Sequence, residues 1–174
     1  MEYTFTLTYQ LADNDCDRNA LVERLGEVGC DDALVGIGQP ARLALEFTRE
    51  AADAEAAVRS ALADVRSAVP SARLIEVAPD LVGLTDVARI IGVSRQNMRK
   101  LMLAHPGSFP VPVHDGSASL WHLADVLAWL QVKGSYSVAG DVLDVARVAL
   151  EVNLAREARR LPRSRSRELK AWVG

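Results

Sequence analysis

Hydrophobic and polar residues alternate through the first 79 residues in patterns that predict strands and helices in turn. Tyr3, Phe5, Leu7 and Tyr9 stand at every second position, so we expect a strand with one buried face. The same criteria predict a helix at 18–28, strands at 33–37 and 42–48, a helix at 52–69 and a strand at 73–78. The order strand, helix, strand, strand, helix, strand is typical of a ferredoxin-like (βαββαβ) domain, which we place at residues 1–79.

Two short amphipathic helices separated by a glycine are predicted directly after this domain. Thr85 and Ser94 can each cap the N-terminus of a helix through a side-chain oxygen, and Gly92 can adopt the positive φ of a sharp turn. Ala88 is small where the two helices would cross. The apolar positions that would hold the helices at a fixed angle are Val87, Ile91, Val93, Met98 and Leu101. The joint spacing predicts a helix-turn-helix.

A β-hairpin wing and a further helix are predicted next. Asp115-Gly116 is a tight-turn pair between two short apolar runs, which indicates a hairpin. A helix from about His122 follows, with Leu123, Val126, Leu127 and Leu130 on one face. Trp121 and Trp129 are possible stacking platforms for bases, but we expect them to pack against the wing. Residues 80–134 therefore read as a winged helix-turn-helix domain, and the whole chain as α+β.

The C-terminal region, residues 135–174, contains the longest predicted helix, at 139–161, which Pro162 would end. Its apolar face is wide, so it needs a partner: either the winged unit or the same helix of a second copy of the chain. We expect a homodimer. The basic segment 156–170 would either contact phosphates or serve as a solubilising tail.

The net charge of −3 hides an uneven distribution of charged residues. Residues 1–79 contain 7 Arg and 14 Asp or Glu; residues 80–154 contain 6 basic and 7 acidic residues; residues 155–174 contain 7 basic and 2 acidic residues. A polyanion would therefore meet the later part of the chain.

The second helix of the predicted helix-turn-helix carries the residues best suited to reading DNA. Arginine pairs with guanine and glutamine or asparagine with adenine in the major groove. A solvated helix face would explain the charges equally well, but it would not explain why amides and guanidinium groups cluster at the first turn. We expect double-stranded DNA to contact Thr85, Ser94, Arg95, Gln96, Asn97, Arg99 and Lys100 on the helices, and His114, Ser117 and Ser119 on the wing.

A set of positions between Leu84 and Leu130 matches a known DNA-binding unit: Leu84-Thr85, Val87-Ala88, Gly92-Val93-Ser94, Phe109-Pro110-Val111-Pro112, Trp121 and Asp125-Val126-Leu127-Ala128-Trp129-Leu130. With these residues the stretch resembles the MerR-type winged helix-turn-helix of the AlpA and excisionase group of phage-related regulators. The resemblance implies a second helix in the major groove and a wing on an adjacent groove or on the phosphate backbone. The chain differs from that group in its long N-terminal domain and C-terminal extension, so neither control of excision nor a particular promoter carries over.

Signatures of catalysis, cofactors and membranes are missing from the sequence. There is no glycine-rich phosphate loop, and Gly36-Ile37-Gly38 lacks the third glycine of a dinucleotide fingerprint. The histidines are scattered, and Cys16 and Cys30 are too few for a cysteine metal site, so we expect reduced thiols, no cofactor, no metal and no enzyme activity. Neither a signal peptide nor a membrane span is evident, so we expect a cytoplasmic, nucleoid-associated protein.

The function predicted from these observations is a sequence-specific transcriptional regulator, a repressor that binds an inverted repeat as a dimer. One alternative is an antitoxin-like module that binds a protein and regulates its own promoter. Another is an excisionase-like factor that bends DNA for recombination. A protein partner or a small ligand at residues 1–79 is also possible.

Overall fold

The structure is a computed structural model that describes residues 1–15, 17–36, 38–134 and 136–173. Cys16, one of the two expected thiols, and Ile37, the last residue of the strand predicted at 33–37, lie outside these residues. The chain is a mixed α+β protein with two antiparallel sheets. Its helices and strands are β1 (Glu2–Gln10), α1 (Arg18–Glu27), β2 (Ala33–Gly36), β3 (Arg42–Glu50), α2 (Ala54–Ala68), β4 (Arg73–Ala78), β5 (Leu81–Val82), α3 (Leu84–Ile91), α4 (Arg95–Ala104), β6 (His114–Asp115), β7 (Ser119–His122), α5 (Leu123–Lys133), α6 (Gly140–Ala158) and α7 (Arg163–Val173).

The first sheet has the strand order β2-β3-β1-β4, and every neighbouring pair is antiparallel. The predicted burial of alternate β1 residues is confirmed, because Tyr3, Phe5, Leu7 and Tyr9 are all at most 5% exposed. Phe5 lies opposite Phe47 in the register, and their rings stack with centroids 5.3 Å apart. Helices α1 and α2 pack on each other, and their buried residues join those of this sheet face in one core.

A second core forms around the smaller sheet, whose strand order is β5-β7-β6. Val87 of α3, Met98 of α4 and Leu127 of α5 are fully buried there beside Trp121 of β7. Met98 and Val87 come from the two predicted amphipathic helices, so their apolar sides face the same interior. The elements predicted for this part of the chain are all present, in the predicted order.

Helix α6 contributes side chains to both cores. Val145 and Ala149 lie in the core of the first sheet, whereas Leu143 and Ala146 lie in the second core. The helix was predicted to need a partner for its apolar face, either residues 80–134 of the same chain or another copy of the chain. That face is covered within the chain itself, by residues of both cores. Among the described residues of α6, Leu154 is the one large apolar side chain that is exposed, and the others are buried or half-buried. The reason for expecting a dimer through residues 139–161 is therefore removed.

The end of α6 also differs from the prediction. The helix ends at Ala158 rather than 161, and a separate helix, α7, follows Pro162. The segment predicted as a basic tail is thus helical from residue 163 onward. Proline at the start of a helix costs little, because its missing N–H would have no intrahelical partner there.

A buried polar network joins α6 to the connection between the two sheets. The side chain of Asn153 accepts a hydrogen bond from the N–H of Val77 (2.9 Å) and donates to the C=O of Val77 (2.8 Å). The same amide donates to Oδ2 of Asp80 (2.8 Å), whose Oδ1 lies 2.6 Å from Nδ1 of His122. Because β4 lies at the edge of its sheet, the N–H and C=O of Val77 do not bond a further strand on that side. The side chain of Asn153 bonds both groups instead.

Candidate nucleic-acid interface

The turn between α3 and α4 depends on Gly92, which has φ 77° and ψ 31°. This left-handed conformation strains any residue that has a Cβ. The N–H of Gly92 donates to the C=O of Arg89 (3.2 Å), and the N–H of Val93 donates to the C=O of Ala88 (2.8 Å). Ala88, the small residue predicted at the crossing of the two helices, is 2% exposed. The predicted turn is therefore confirmed at these positions.

The two predicted helix caps have different outcomes. Oγ of Ser94 accepts a hydrogen bond from the N–H of Asn97 (3.1 Å), so the cap of α4 is confirmed. The cap at Thr85 is wrong, because α3 begins one residue earlier, at Leu84, and Gly83 occupies the capping position. A carboxylate oxygen of Asp86 accepts from the N–H of Gly83 (3.3 Å) instead. Thr85 is the second residue of the helix, and its side chain is exposed.

Helix α4 has one buried side and one exposed side, as the sequence predicted. Met98 is fully buried, and Leu101 and Met102 are half-buried beside it. The exposed residues are Ser94, which caps the helix, then Arg95, Gln96, Asn97, Arg99, Lys100, Leu103 and Ala104. All the side chains of α4 and its cap that were predicted to contact DNA are thus open to solvent.

The exposed side of α4 is positively charged. The helix contains Arg95, Arg99 and Lys100 and has no acidic residue. None of these three cations forms an ion pair with any of the residues that the structure describes, whereas Arg89 on α3 pairs with Asp86 at 3.1 Å. The N-terminus of the helix adds the positive end of its dipole to the same region. The surface combines unpaired cations with two amide side chains, which is the chemistry that phosphates and base edges require.

The predicted wing is a short hairpin formed by β6 and β7. Asp115 pairs with Ser119 in the register, so the connecting loop has three residues, 116–118. The predicted hairpin is present, but its turn is longer than the Asp115-Gly116 pair and begins one residue later, because Asp115 still belongs to the strand. Oγ of Ser119 donates to Oδ1 of Asp115 at 2.7 Å, so the hydroxyl proton of Ser119 is already used within the hairpin. His114 and Ser117 are exposed.

Aromatic side chains support the hairpin from the inside. Trp121 is 5% exposed, its Nε1–H donates to the C=O of Pro110 (3.0 Å), and Phe109 meets it edge-on. Phe109 also meets the ring of Trp129, with centroids 5.1 Å apart. The predicted packing role of both tryptophans is confirmed, and the buried ring of Trp121 is closed to a base.

The C-terminal basic segment is divided between two helices. Arg156 lies on α6, and the cations from residue 163 onward lie on α7. Arg165 pairs with Glu168 at 2.7 Å and lies over the ring of Trp172 at 4.8 Å from its centroid. Trp172 is 64% exposed and contacts Arg165 of its own helix, so it does not anchor the segment to the rest of the chain.

The described residues do not gather into a cluster that could bind a metal ion. Among the described residues, no three His, Cys, Asp or Glu side chains come together so that they could hold a metal ion. Burial raises the pKa of the Cys30 thiol to about 11, with a further contribution from Asp64 and Asp32. Within the residues that the structure describes, no helix is long and apolar enough to cross a membrane.

Two features of the molecule have no counterpart in the sequence predictions. The network of Asn153, Asp80 and His122 joins residues more than 30 positions apart, so no local pattern indicates it. A lone asparagine among the apolar residues of α6 was the only available signal. The other feature is a cavity between α2 and α6 that is lined by arginines. Neither the sequence nor the fold of this chain matches a known family model, a curated protein or a solved structure.

Proposed function

We propose that this protein is a sequence-specific regulator that binds double-stranded DNA with α4 in the major groove. The observation that carries the proposal is the exposed first turn of α4, where Arg95, Gln96 and Asn97 stand beside unpaired cations. Met98 fixes the opposite side of the helix in the core, so this surface is held rigidly. Arginine and amide side chains at the N-terminal end of a helix can bond base edges in the groove.

The proposal includes the finer description of the fold. Strand order β2-β3-β1-β4 with two helices on one face supports a ferredoxin-like domain at residues 1–79. The α3-α4 pair with its Gly92 turn, followed by the β6-β7 hairpin, supports a winged helix-turn-helix at residues 80–134. In this arrangement the hairpin would contact the backbone or groove beside the one that α4 enters, through the exposed His114 and Ser117.

Selection of bound sites from a pool of random duplexes tests the proposal with the full chain. We expect the unaltered protein to enrich a defined motif and the double variant R95A/N97A to enrich none. The variant R18A/N19A is a matched control, because Arg18 and Asn19 are also exposed at the first turn of a helix, α1. Enrichment of the same motif by R95A/N97A, or of no motif by the unaltered protein, contradicts the proposal.

The selected sites also report on the number of copies that bind. A symmetric repressor requires two half-sites separated by about one helical turn or a multiple of it. An inverted repeat among the selected sites indicates a dimer, which must use a surface other than the covered face of α6. A single half-site indicates that one copy suffices.

A further inference from the structure

A cavity of about 640 Å³ opens between α2, α6 and the end of the first sheet. Its volume lies in the range of pockets that hold small ligands. The apolar part of its wall includes Leu62, Leu74 and Val152, which are half-buried, and the buried Tyr9. A second space of about 460 Å³ shares Leu62 and Val152 with it, so the groove between α2 and α6 continues beyond the cavity.

Four arginines surround this cavity, and no acidic residue lines it. They are Arg66 of α2, Arg73 of β4, Arg156 of α6 and Arg159 at the end of α6. The local charge is opposite to that of residues 1–79 as a whole, which contain 7 Arg and 14 Asp or Glu. Like charges gathered at one opening repel one another, so the cluster costs stability unless an anion neutralises it.

The arginines are short of partners. Arg66, Arg73 and Arg159 form no ion pair with any residue that the structure describes. Arg156 pairs with Glu157 at 2.5 Å, but its Nε is buried without a hydrogen-bond partner in the same set of residues. The hydroxyl of Tyr9 likewise has no hydrogen bond within the described chain, and burial holds its pKa far above the ordinary value, so it remains a donor. Several hydrogen-bond donors that line this cavity therefore have no acceptor among the described residues.

We propose that this cavity binds a small molecule with an apolar body and an anionic group, either a carboxylate or a phosphate. The apolar body packs on Leu62, Leu74 and Val152, and the anion accepts hydrogen bonds from the arginines around the opening. Guanidinium groups suit both anions because their N–H groups match two oxygens at once. The inference does not depend on DNA binding, since it rests on other residues.

A pair of fluorescent probes tests the proposal on the full chain. The first is 8-anilinonaphthalene-1-sulfonate, an apolar anion, and the second is N-phenyl-1-naphthylamine, which has the same rings without the charge. We expect saturable binding of one molecule of the sulfonate per chain and at least tenfold weaker binding of the uncharged probe, because charge-assisted hydrogen bonds supply much of the affinity.

Variants then locate the site. We expect R66A/R159A to weaken binding of the sulfonate about tenfold or more, and R66K/R159K to weaken it less than that, since lysine keeps the charge but loses the paired N–H donors. The control R147A changes an exposed arginine of the same helix, α6, that does not line the cavity. Circular dichroism spectra verify that each variant is folded.

Competition distinguishes the two kinds of anion. Decanoate and decyl phosphate share a tail, so the one that displaces the sulfonate at lower concentration identifies the preferred group, and decanol should displace it poorly. Equal affinity for both probes, or unchanged affinity in R66A/R159A, overturns the proposal. Neither result bears on the selection of DNA sites, so the two proposals fail independently.

Discussion

At the scale of single residues, Gln96 and Lys100 occupy the same exposed face of α4 but carry different chemistry. The carboxamide of Gln96 can bond an adenine edge, so we expect Gln96→Ala to cost roughly 1–3 kcal/mol on the selected site and little on a scrambled duplex. Titration of both duplexes measures the difference. If the variant weakens both duplexes equally, or leaves affinity for the selected site untouched, Gln96 does not read a base.

Lys100 has a flexible point charge, which suits a phosphate better than a base edge. We expect Lys100→Ala to weaken binding to selected and scrambled duplexes alike. The slope of log affinity against log salt concentration should become shallower by about one unit, because one fewer counterion is released. The exposed Arg147, which is distant in sequence from α4, provides the control: R147A should leave the slope unchanged. A loss limited to the selected site would assign Lys100 to base recognition instead.

Cys30 illustrates how burial controls the reactivity of a thiol. It is 4% exposed, and at pH 8 a pKa of about 11 leaves roughly one thiolate per thousand molecules. In a Cys16→Ala background we expect no measurable reaction with a disulfide reagent in the native state and complete reaction in denaturant. Because the folded pKa is raised, its contribution to stability is present below about pH 9 and declines as the pH rises toward 11. Fast labelling of the native protein would show that the thiol is accessible.

At the scale of elements, α6 depends on Asn153 as well as on its apolar faces. Asn153→Ala leaves the backbone groups of Val77 and one oxygen of Asp80 without partners in a buried place. We expect it to lower the free energy of unfolding by about 3 kcal/mol, since each buried unsatisfied group costs about 1–3 kcal/mol. Urea denaturation measures the change.

The control for this experiment lies one residue further along the same helix. Leu154 is 54% exposed, so Leu154→Ala should cost less than about 1 kcal/mol. Equal losses in the two variants would mean that the network adds nothing to the stability of the helix.

How well an element could be predicted depended on whether its determinants are local. The alternation in β1 and the Gly92-Val93-Ser94 turn lie within a few residues, and both were predicted correctly. The partner of α6 could not be predicted, because a wide apolar stripe shows only that something covers it. The cavity escaped prediction for the same reason: Arg66 and Arg159 are 93 positions apart and meet only in the folded chain.

At the scale of the whole molecule, α6 should make unfolding a single event. It buries side chains in both cores, so opening one core removes contacts from the other. We expect native-state hydrogen exchange to give the same opening free energy for the central amides of β1 and of α5. Two clearly separated values would show that the two cores open independently.

The position of α6 late in the chain also has a consequence for synthesis. The first core is complete except for α6 side chains between residues 145 and 152, which leave the ribosome some 70 residues after β4. While the chain grows, the edge of β4 at Val77 and the apolar groups beside it are therefore exposed to solvent or to a chaperone. Translation speed over residues 80–140 sets how long that interval lasts, and we expect slow translation there to lower the yield of correctly folded protein.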